Sequence, residues 1–302
     1  MTPVSLPVYS APSVNALPVL AMLPPAAQYL FAIMAGLCIG SFINVLVHRL
    51  PVMMKRAWEA EIAEATGNQA QPDDGYPARY DLWHPRSTCP HCGQVLRAWE
   101  NIPLVSYVLL RGCCRHCGHA IGARYPLIEL AGALLAALAL AVYGPTAAAL
   151  AAFGLCAALL AMSAIDIQTG YLPDSMTLPL LWAGLAVNLA GTFASLRAAV
   201  VGAMAGDLFL WSIYWLFKWL RGIEGIGFGD LKLLAALGAW LGWAALPQVV
   251  LLAAVAGAAV GLAATLRGRM RFEEPIPFGP FLAAGGAATL FFGTPFYSAL
   301  GG

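Results

Sequence analysis

The chain has 302 residues, of which 60% are hydrophobic and 10% are charged, and its mean hydropathy is +0.74. Soluble globular proteins carry about 25% charged residues, so this composition excludes an ordinary soluble domain and indicates a protein embedded in the lipid bilayer. The formal net charge is only +1 and the chain has no stripe of basic and aromatic residues, so we expect no nucleic-acid partner.

Residues 1–25 contain six prolines and no Lys or Arg. A cleaved signal peptide has its positive charges before the apolar stretch, whereas here the charges come after it. We therefore expect 1–25 to be an external tail and 26–47 to be a first transmembrane helix that is retained.

Seven further apolar stretches follow the first, and a spanning helix needs roughly 20 such residues. The eight predicted spans lie at 26–47, 126–143, 147–165, 175–193, 198–217, 231–245, 247–266 and 280–298. Only a short turn with a proline separates the sixth from the seventh, and the two could be read as one long segment. The sequence thus predicts an all-α fold, a polytopic membrane helical bundle of about eight spans, whose last seven form a core over 126–302.

The basic residues predict the orientation in the membrane. With the N-terminus outside and eight spans, 15 of the 16 Lys and Arg residues lie on one face, and only Arg197 lies on the other. An excess of Lys and Arg marks the cytoplasmic side of a membrane protein. Asp166 and Asp230, at the ends of the third and sixth spans, both fall on this face.

One large polar insertion, at 48–125, is predicted to be a cytoplasmic loop domain. It carries two Cys-x-x-Cys pairs separated by 21 residues, and a glycine follows each pair. The four cysteines are Cys89, Cys92, Cys114 and Cys117. This spacing is typical of a closed, structural zinc site. Reduced thiols without metal and a redox pair of dithiols are the alternatives, and Cys113 could replace Cys114 as a ligand.

Two carboxylic acids at the membrane edge form the candidate catalytic site. Asp166 ends the third span, and Asp230 follows Gly227 and Gly229 at the start of the sixth. Two neighbouring carboxyls share a proton near neutral pH, so one can activate water while the other protonates the leaving group. The glycines would let an extended peptide approach the backbone. The simpler alternatives are a helix N-cap for Asp230 and a solvated helix-end position for Asp166.

Three more charged residues lie in or near these segments. Asp174 follows Leu-Pro and precedes a helix, where an N-cap is the expected role. Asp207 lies in the middle of the fifth span, a costly position for which no mechanism is evident. Lys232 stands two residues after Asp230 and would either act electrostatically at the site or extend to the membrane surface.

These motifs resemble those of the bacterial type IV prepilin peptidases, which are membrane aspartyl proteases of the GxGD type. The resemblance covers about 35–282. It rests on GSFINV at 40–45, the double Cys-x-x-Cys loop with its flanking segments 97–103 and 124–129, Asp166 with LPD at 172–174, and GFGDLK at 227–232. By this resemblance Asp166 and Asp230 are the catalytic pair, and Gly227, Gly229 and Lys232 are expected to contact the substrate.

The resemblance implies that the chain cleaves the basic leader from type IV prepilins and type II secretion pseudopilins, at the cytoplasmic face of the bacterial inner membrane. It also implies N-methylation of the new N-terminal residue with S-adenosylmethionine, although the sequence has no glycine-rich motif for this cofactor. The alternatives are a peptidase alone, with the zinc loop positioning the substrate, an ion-coupled transporter that uses Asp207, and a zinc-bearing scaffold. A transporter is disfavoured because the sequence shows neither paired broken helices nor an inverted repeat.

Overall fold

A computed structural model describes residues 17–67, 74–222, 227–268 and 276–294, and most of the predicted external tail lies outside these ranges. Within them the fold is all-α, as predicted, with two isolated β-bridges and no β-sheet. The α-helices are α1 (Pro18–Ala21), α2 (Pro25–Thr66), α3 (Val105–Leu109), α4 (Arg124–Tyr143), α5 (Ala147–Thr169), α6 (Asp174–Asn188), α7 (Leu196–Arg221), α8 (Phe228–Leu241), α9 (Leu246–Leu266) and α10 (Gly279–Phe292). Two 3₁₀ turns lie at Ala98–Asn101 and Trp243–Ala245.

A helix coincides with each of the eight predicted spans, but three of these helices are short. Among the described residues, α2, α4, α5, α7 and α9 with its preceding 3₁₀ turn are long and apolar enough to cross a membrane. The other three, α6, α8 and α10, have 15, 14 and 14 residues. Because a helix rises about 1.5 Å per residue, 14 residues cover only about 21 Å of a hydrocarbon core about 30 Å thick.

Specific residues end two of these helices before their predicted limits. The side chain of Asn188 accepts hydrogen bonds from the backbone N–H groups of Phe193 and Ala194, which folds the chain into a turn where α6 was predicted to continue. Gly293 follows α10 with a φ of 73°, a left-handed conformation that favours glycine and stops the helix. Apolar composition alone does not reveal either stop.

The first span does not end at the predicted membrane edge. Helix α2 is continuous over 42 residues and extends from the predicted span 26–47 into the polar insertion as far as Thr66. Pro51 lies inside it and removes one backbone donor without ending the helix. The buried guanidinium of Arg49 donates to the carbonyl oxygens of Asp81 and Pro85 over 2.7 and 2.6 Å, which ties the polar insertion to this helix.

The described helices form two compact units, of which the first is Pro25–Ala137. It contains α2, the polar insertion and most of α4. The two helices approach closely, since a methyl group on Gly36 would lie 2.5 Å from the carbonyl oxygen of Gly132. The Asn44 side-chain amide, on the same part of α2, donates to the carbonyl of Tyr125 over 3.0 Å. Small residues and one interhelical hydrogen bond thus hold this crossing together.

The second unit contains the end of α4 and helices α5 to α10. Every residue of α8 from Asp230 to Trp240 except Lys232 is buried, and α8 packs against α6, α7 and α10. Gly202 and Gly206 of α7 lie directly against the α8 backbone near Gly238 and Leu234. Helix α10 also packs against α5, so it borders both helices that carry the candidate aspartates.

Candidate functional site

Asp166 lies in the last two turns of α5, and only 4% of its surface is exposed. Its Oδ2 accepts a hydrogen bond from the backbone N–H of Gly279, the first residue of α10, over 3.1 Å. The first N–H groups of a helix have no partner within the helix, and the helix N-terminus favours negative charge. The alternative of a solvated helix-end position is therefore wrong for Asp166.

Asp230 lies in the first turn of α8 and is 8% exposed. The N-cap of this helix is Gly227, and the backbone N–H of Asp230 donates to its carbonyl over 3.1 Å. The Asp230 side chain does not cap the helix, so the N-cap alternative is also wrong. Its Oδ1 atom is buried and has no hydrogen-bond partner among the described residues, which is unusual for a carboxyl oxygen.

Catalysis by this pair requires the end of α5 and the start of α8 to come together. In the described structure α6 and α10 each pack against both of these helices, and the start of α10 binds Asp166 directly. Leu172, in the link between α5 and α6, contacts Gly229, which precedes Asp230, and Gly279, which binds Asp166. A methyl group on Gly229 would lie 2.6 Å from Leu172 Cβ, and one on Gly279 would lie 3.0 Å from Leu172 Cδ1.

The two glycines predicted to contact the substrate have different surroundings. Among the described residues, a methyl group on Gly227 would meet only Oδ2 of Asp230, at 3.6 Å. Gly229 instead uses its missing side chain to pack against Leu172. Of the two glycines, Gly227 therefore has the more open surroundings within the described part of the chain. Residues 223–226, which precede it, lie outside the described ranges.

Asp174 is not an N-cap, because the N-cap of α6 is Pro173 and Asp174 is the first residue of the helix. Its carboxylate instead accepts a hydrogen bond from Lys232 Nζ over 2.5 Å. The Lys232 ammonium therefore neither extends freely to the membrane surface nor contacts the aspartate pair directly. The ion pair joins the start of α6 to the start of α8 and is partly exposed.

Asp207 lies at the middle of α7, as predicted, and is half-buried. No hydrogen bond or ion pair connects its side chain to another described residue. It lies apart from the hydrogen bonds and contacts that position Asp166 and Asp230.

The four predicted zinc ligands form one cluster in the polar insertion. The Sγ atoms of Cys89, Cys92, Cys114 and Cys117 all lie within 4.8 Å of one another, and those of Cys89 and Cys117 are 3.9 Å apart. Tetrahedral zinc with Zn–S bonds of about 2.3 Å needs sulfur atoms about 3.8 Å apart. The donor set and the spacing therefore fit zinc.

Two matching turns position these thiols. Gly93 N–H donates to the Cys89 carbonyl and Gly118 N–H to the Cys114 carbonyl, each over 2.9 Å, and both glycines have φ near 70°. Cys113 lies outside the cluster, and its backbone forms an isolated bridge with Ala120. Of Cys113 and Cys114, Cys114 is therefore the candidate metal ligand.

A cavity of about 310 Å³ in the same unit has the size of a small-ligand site. Three arginines, an exposed tryptophan and two polar side chains contribute to its wall, namely Arg49, Arg86, Arg97, Trp83, Ser87 and Asn101. Arg49 is bound to backbone carbonyls, whereas the exposed guanidinium groups of Arg86 and Arg97 make no hydrogen bond to a described residue. Guanidinium groups bind carboxylates and phosphates, and an indole ring can stack on a planar ring or a cation.

Sequence reasoning missed the part played by Gly279. The only local signal is the Gly-Pro dipeptide at 279–280, since proline is favoured in the first turn of a helix and marks where α10 begins. Nothing in the sequence indicates that this helix start contacts a carboxylate on α5. The LPD segment contains Leu172, but no local pattern predicted a role for that residue.

The chain is similar to known proteins along most of its length. Residues 34–143 match the family model described as the bacterial peptidase A24 N-terminal domain, and residues 152–262 match the type IV leader peptidase family. A protein of Burkholderia pseudomallei named prepilin leader peptidase/N-methyltransferase is 76% identical over 93% of this chain and 91% of its own length. Proteins of the same name from Pseudomonas aeruginosa and Aeromonas hydrophila are 50% and 51% identical, over 89% of this chain and 92% of theirs. No solved structure matches. The chain therefore belongs to the type IV leader peptidase family.

Proposed function

We propose that this chain is a multi-pass inner-membrane enzyme that removes the leader peptide from type IV prepilins and type II secretion pseudopilins and then N-methylates the new N-terminal residue. The names of its close relatives state both activities. The observation that carries the peptidase assignment is that Asp166 and Asp230 are both buried and that Leu172 contacts a glycine beside each of them.

Asp166 and Asp230 act together as the catalytic pair. Two adjacent buried carboxyls cannot both ionise easily, so the pair holds one proton near neutral pH and titrates as a unit. The ionised carboxylate takes a proton from water as the water attacks the scissile carbonyl carbon. The protonated carboxyl donates its proton to the carbonyl oxygen, and the leaving amine is then protonated as the C–N bond breaks. Burial strengthens these electrostatic effects because bulk water is excluded.

The scissile bond approaches the pair along the backbone beside Gly227, whose missing side chain leaves Asp230 accessible. Lys232 assists by holding Asp174 and thereby the start of α6 next to α8. We infer that the site faces the cytoplasm, since 15 of 16 basic residues fall on that face in an eight-span topology. A bond next to the apolar helix of a pilin lies at this membrane edge.

The cysteine cluster is proposed to hold one structural zinc ion. Cys89, Cys92, Cys114 and Cys117 would occupy all four positions of a tetrahedral ion, which leaves none for water or substrate. The ion therefore stabilises the polar insertion and takes no part in peptide hydrolysis.

S-adenosylmethionine would supply the methyl group, and we assign its binding to the cavity bordered by Arg86, Arg97 and Trp83. The arginines match the carboxylate of the cofactor, and Trp83, 75% exposed, offers a ring face to its adenine or its sulfonium. A second cavity of similar size, next to α3, is lined only by Leu104, Val105, Val108 and Leu109 and offers no side chain that could bind polar groups.

Equilibrium binding tests this assignment without any turnover. The double variant Arg86→Gln/Arg97→Gln should bind S-adenosylmethionine at least about tenfold more weakly by calorimetry, since two charged hydrogen bonds are lost. Arg111→Gln, an exposed arginine of the same unit outside the cavity, should bind it normally. Unchanged affinity of the double variant for S-adenosylmethionine would show that the cavity has another ligand. The same conclusion would follow if the double variant lost binding to anionic phospholipid and not to S-adenosylmethionine.

The overall function is tested by incubating membranes that contain the protein with a prepilin and isotope-labelled S-adenosylmethionine. Mass analysis of the mature pilin should show loss of the leader and a labelled methyl group on the new N-terminus. Cleavage without methylation would favour the peptidase-only alternative, in which the cysteine loop positions the substrate. Absence of both activities in a correctly inserted protein would contradict the proposal.

A further inference from the structure

Leu172 packs against two glycines, one beside each aspartate of the pair. It lies in the link between α5 and α6 and is only 5% exposed, although all four residues before it are exposed. A buried leucine in a short surface link requires close neighbours. Two of these are glycines from distant parts of the chain, Gly229 and Gly279, and each stands directly beside one of the aspartates.

The contact with Gly229 limits the position of Asp230. A methyl group on Gly229 would lie 2.6 Å from Leu172 Cβ and 3.3 Å from its carbonyl oxygen, so the α8 backbone rests directly on Leu172. Because Gly229 immediately precedes Asp230, this contact sets how far the first turn of α8 can move towards the end of α5.

The contact with Gly279 limits the position of Asp166. A methyl group there would lie 2.6 Å from Asp166 Oδ2 and 3.0 Å from Leu172 Cδ1. The N–H of the same residue donates to Oδ2, so Gly279 lies against both the carboxylate and the leucine. Displacement of the α10 start would therefore move or release the Asp166 carboxylate.

We propose that Leu172, with Gly229 and Gly279 against it, is a positioning residue that sets the separation of the two catalytic carboxyls. Leu172 touches neither the reacting atoms nor the proton that the pair shares. It acts by holding the starts of α8 and α10 at fixed places. This inference rests on the proposed peptidase function and adds to it three residues outside the carboxyl pair. A misplacement of about 1 Å at a catalytic group can cost about 10²-fold in rate.

The first test varies the side chain at position 172. Leu172→Ala removes the contact with Gly279 and should lower kcat for prepilin cleavage by roughly 10- to 100-fold while KM changes little. Leu172→Met, of similar volume, should restore most of kcat. Leu290→Ala, a buried leucine near the other end of α10, should lower the Tm comparably with a near-normal kcat.

The second test adds a methyl group at the start of α10. Gly279→Ala should lower kcat as Leu172→Ala does, because the methyl group displaces the Asp166 carboxylate. Gly285→Ala is the matched control on the same helix, since its methyl group would lie 2.7 Å from the carbonyl oxygen of Val249, away from the aspartates. It should lower the Tm and leave kcat nearly unchanged.

Two outcomes separate this proposal from the proposed function. If Asp166→Asn abolishes cleavage but Leu172→Ala and Gly279→Ala retain normal kcat, the positioning role is wrong and the catalytic pair stands. If Asp166→Asn itself cleaves normally, the peptidase assignment fails, and the positioning role fails with it. If kcat falls equally in the controls, Leu290→Ala and Gly285→Ala, and in the test variants, Leu172→Ala and Gly279→Ala, then Leu172 contributes only to general core packing.

Discussion

The backbone N–H of Gly279 donates a hydrogen bond to Oδ2 of Asp166, which lies 113 residues earlier in the chain. This bond brings the start of α10 to the end of α5, and Leu172 extends the contact to the start of α8. The candidate active site is therefore built where three helix ends meet. Each helix contributes one element, namely a carboxyl group from α5, a second from α8 and a backbone donor from α10.

Replacement of either carboxyl by an amide should abolish leader cleavage, because an amide cannot exchange a proton at neutral pH. For Asp166→Asn and Asp230→Asn we expect the cleavage rate to fall by at least about 10²- to 10⁴-fold. The processed fraction of a prepilin on gels of isolated membranes measures this. Asp207→Asn makes the same change at a half-buried carboxyl away from the site and should cleave normally. Normal processing by either dyad variant would refute the pair.

The purified protein should contain one zinc ion per chain under reducing conditions. Cys89→Ser or Cys114→Ser should lose the metal, because each removes a buried thiol of the cluster, whereas Cys113→Ser should keep it. Metal analysis by mass spectrometry gives the ratio directly. Limited proteolysis should then cut the metal-free variants within 74–124 faster than the parent protein. A metal-free parent protein with four reduced thiols would contradict the assignment.

The pair Asp174–Lys232 should affect stability only slightly, since both side chains are about one-third to one-half exposed and such pairs contribute up to about 1 kcal/mol. Kinetics can separate a structural role for Lys232 from direct substrate binding. If Lys232 only holds Asp174, Lys232→Ala and Asp174→Asn should change KM for the prepilin alike. A rise of KM in Lys232→Ala alone would assign the ammonium to the substrate.

Glu129→Ala should loosen the polar insertion. Oε2 of Glu129, which is buried on α4, accepts the backbone N–H of Leu104 over 2.8 Å, and Leu104 has a φ of 58° that few residues other than glycine adopt. Loss of this acceptor leaves a backbone donor unpaired, at a cost of about 1–3 kcal/mol. Glu129→Gln keeps an acceptor oxygen and should be much milder. Thermal unfolding in detergent compares Glu129→Ala with Glu129→Gln. Equal Tm values for the two variants would contradict the anchoring role of Glu129.

The sequence was sufficient where chemistry depends on local spacing. Two Cys-x-x-Cys pairs with glycines after them predicted the thiol cluster, because each turn is closed within six residues, as the bonds around Gly93 and Gly118 illustrate. The two aspartates were also found locally, since a carboxyl beside an apolar span is costly wherever the helix lies.

Contacts between distant segments could not be read from the sequence. Gly279 and Leu172 are neighbours only after α5, α6 and α10 have packed, so no local pattern indicates their roles. Asp174 follows a proline at the start of a helix and therefore resembles an N-cap, but a lysine 58 residues later takes its carboxylate. The ends of α6 and α10 were misplaced because a side-chain turn and one glycine override apolar composition.

The length of α2 has a mechanical consequence for the polar insertion. At about 1.5 Å per residue its 42 residues extend about 63 Å, roughly twice the thickness of the hydrocarbon core. The projecting half is clamped to the loop by Arg56, which binds both carboxylate oxygens of Asp74 over 2.6 Å. The polar insertion is therefore attached to a continuous helix and not to a flexible linker. The thickness and lipid composition of the bilayer can change the tilt of α2. Because the helix is continuous, such a change in tilt also moves the cysteine-bearing segment.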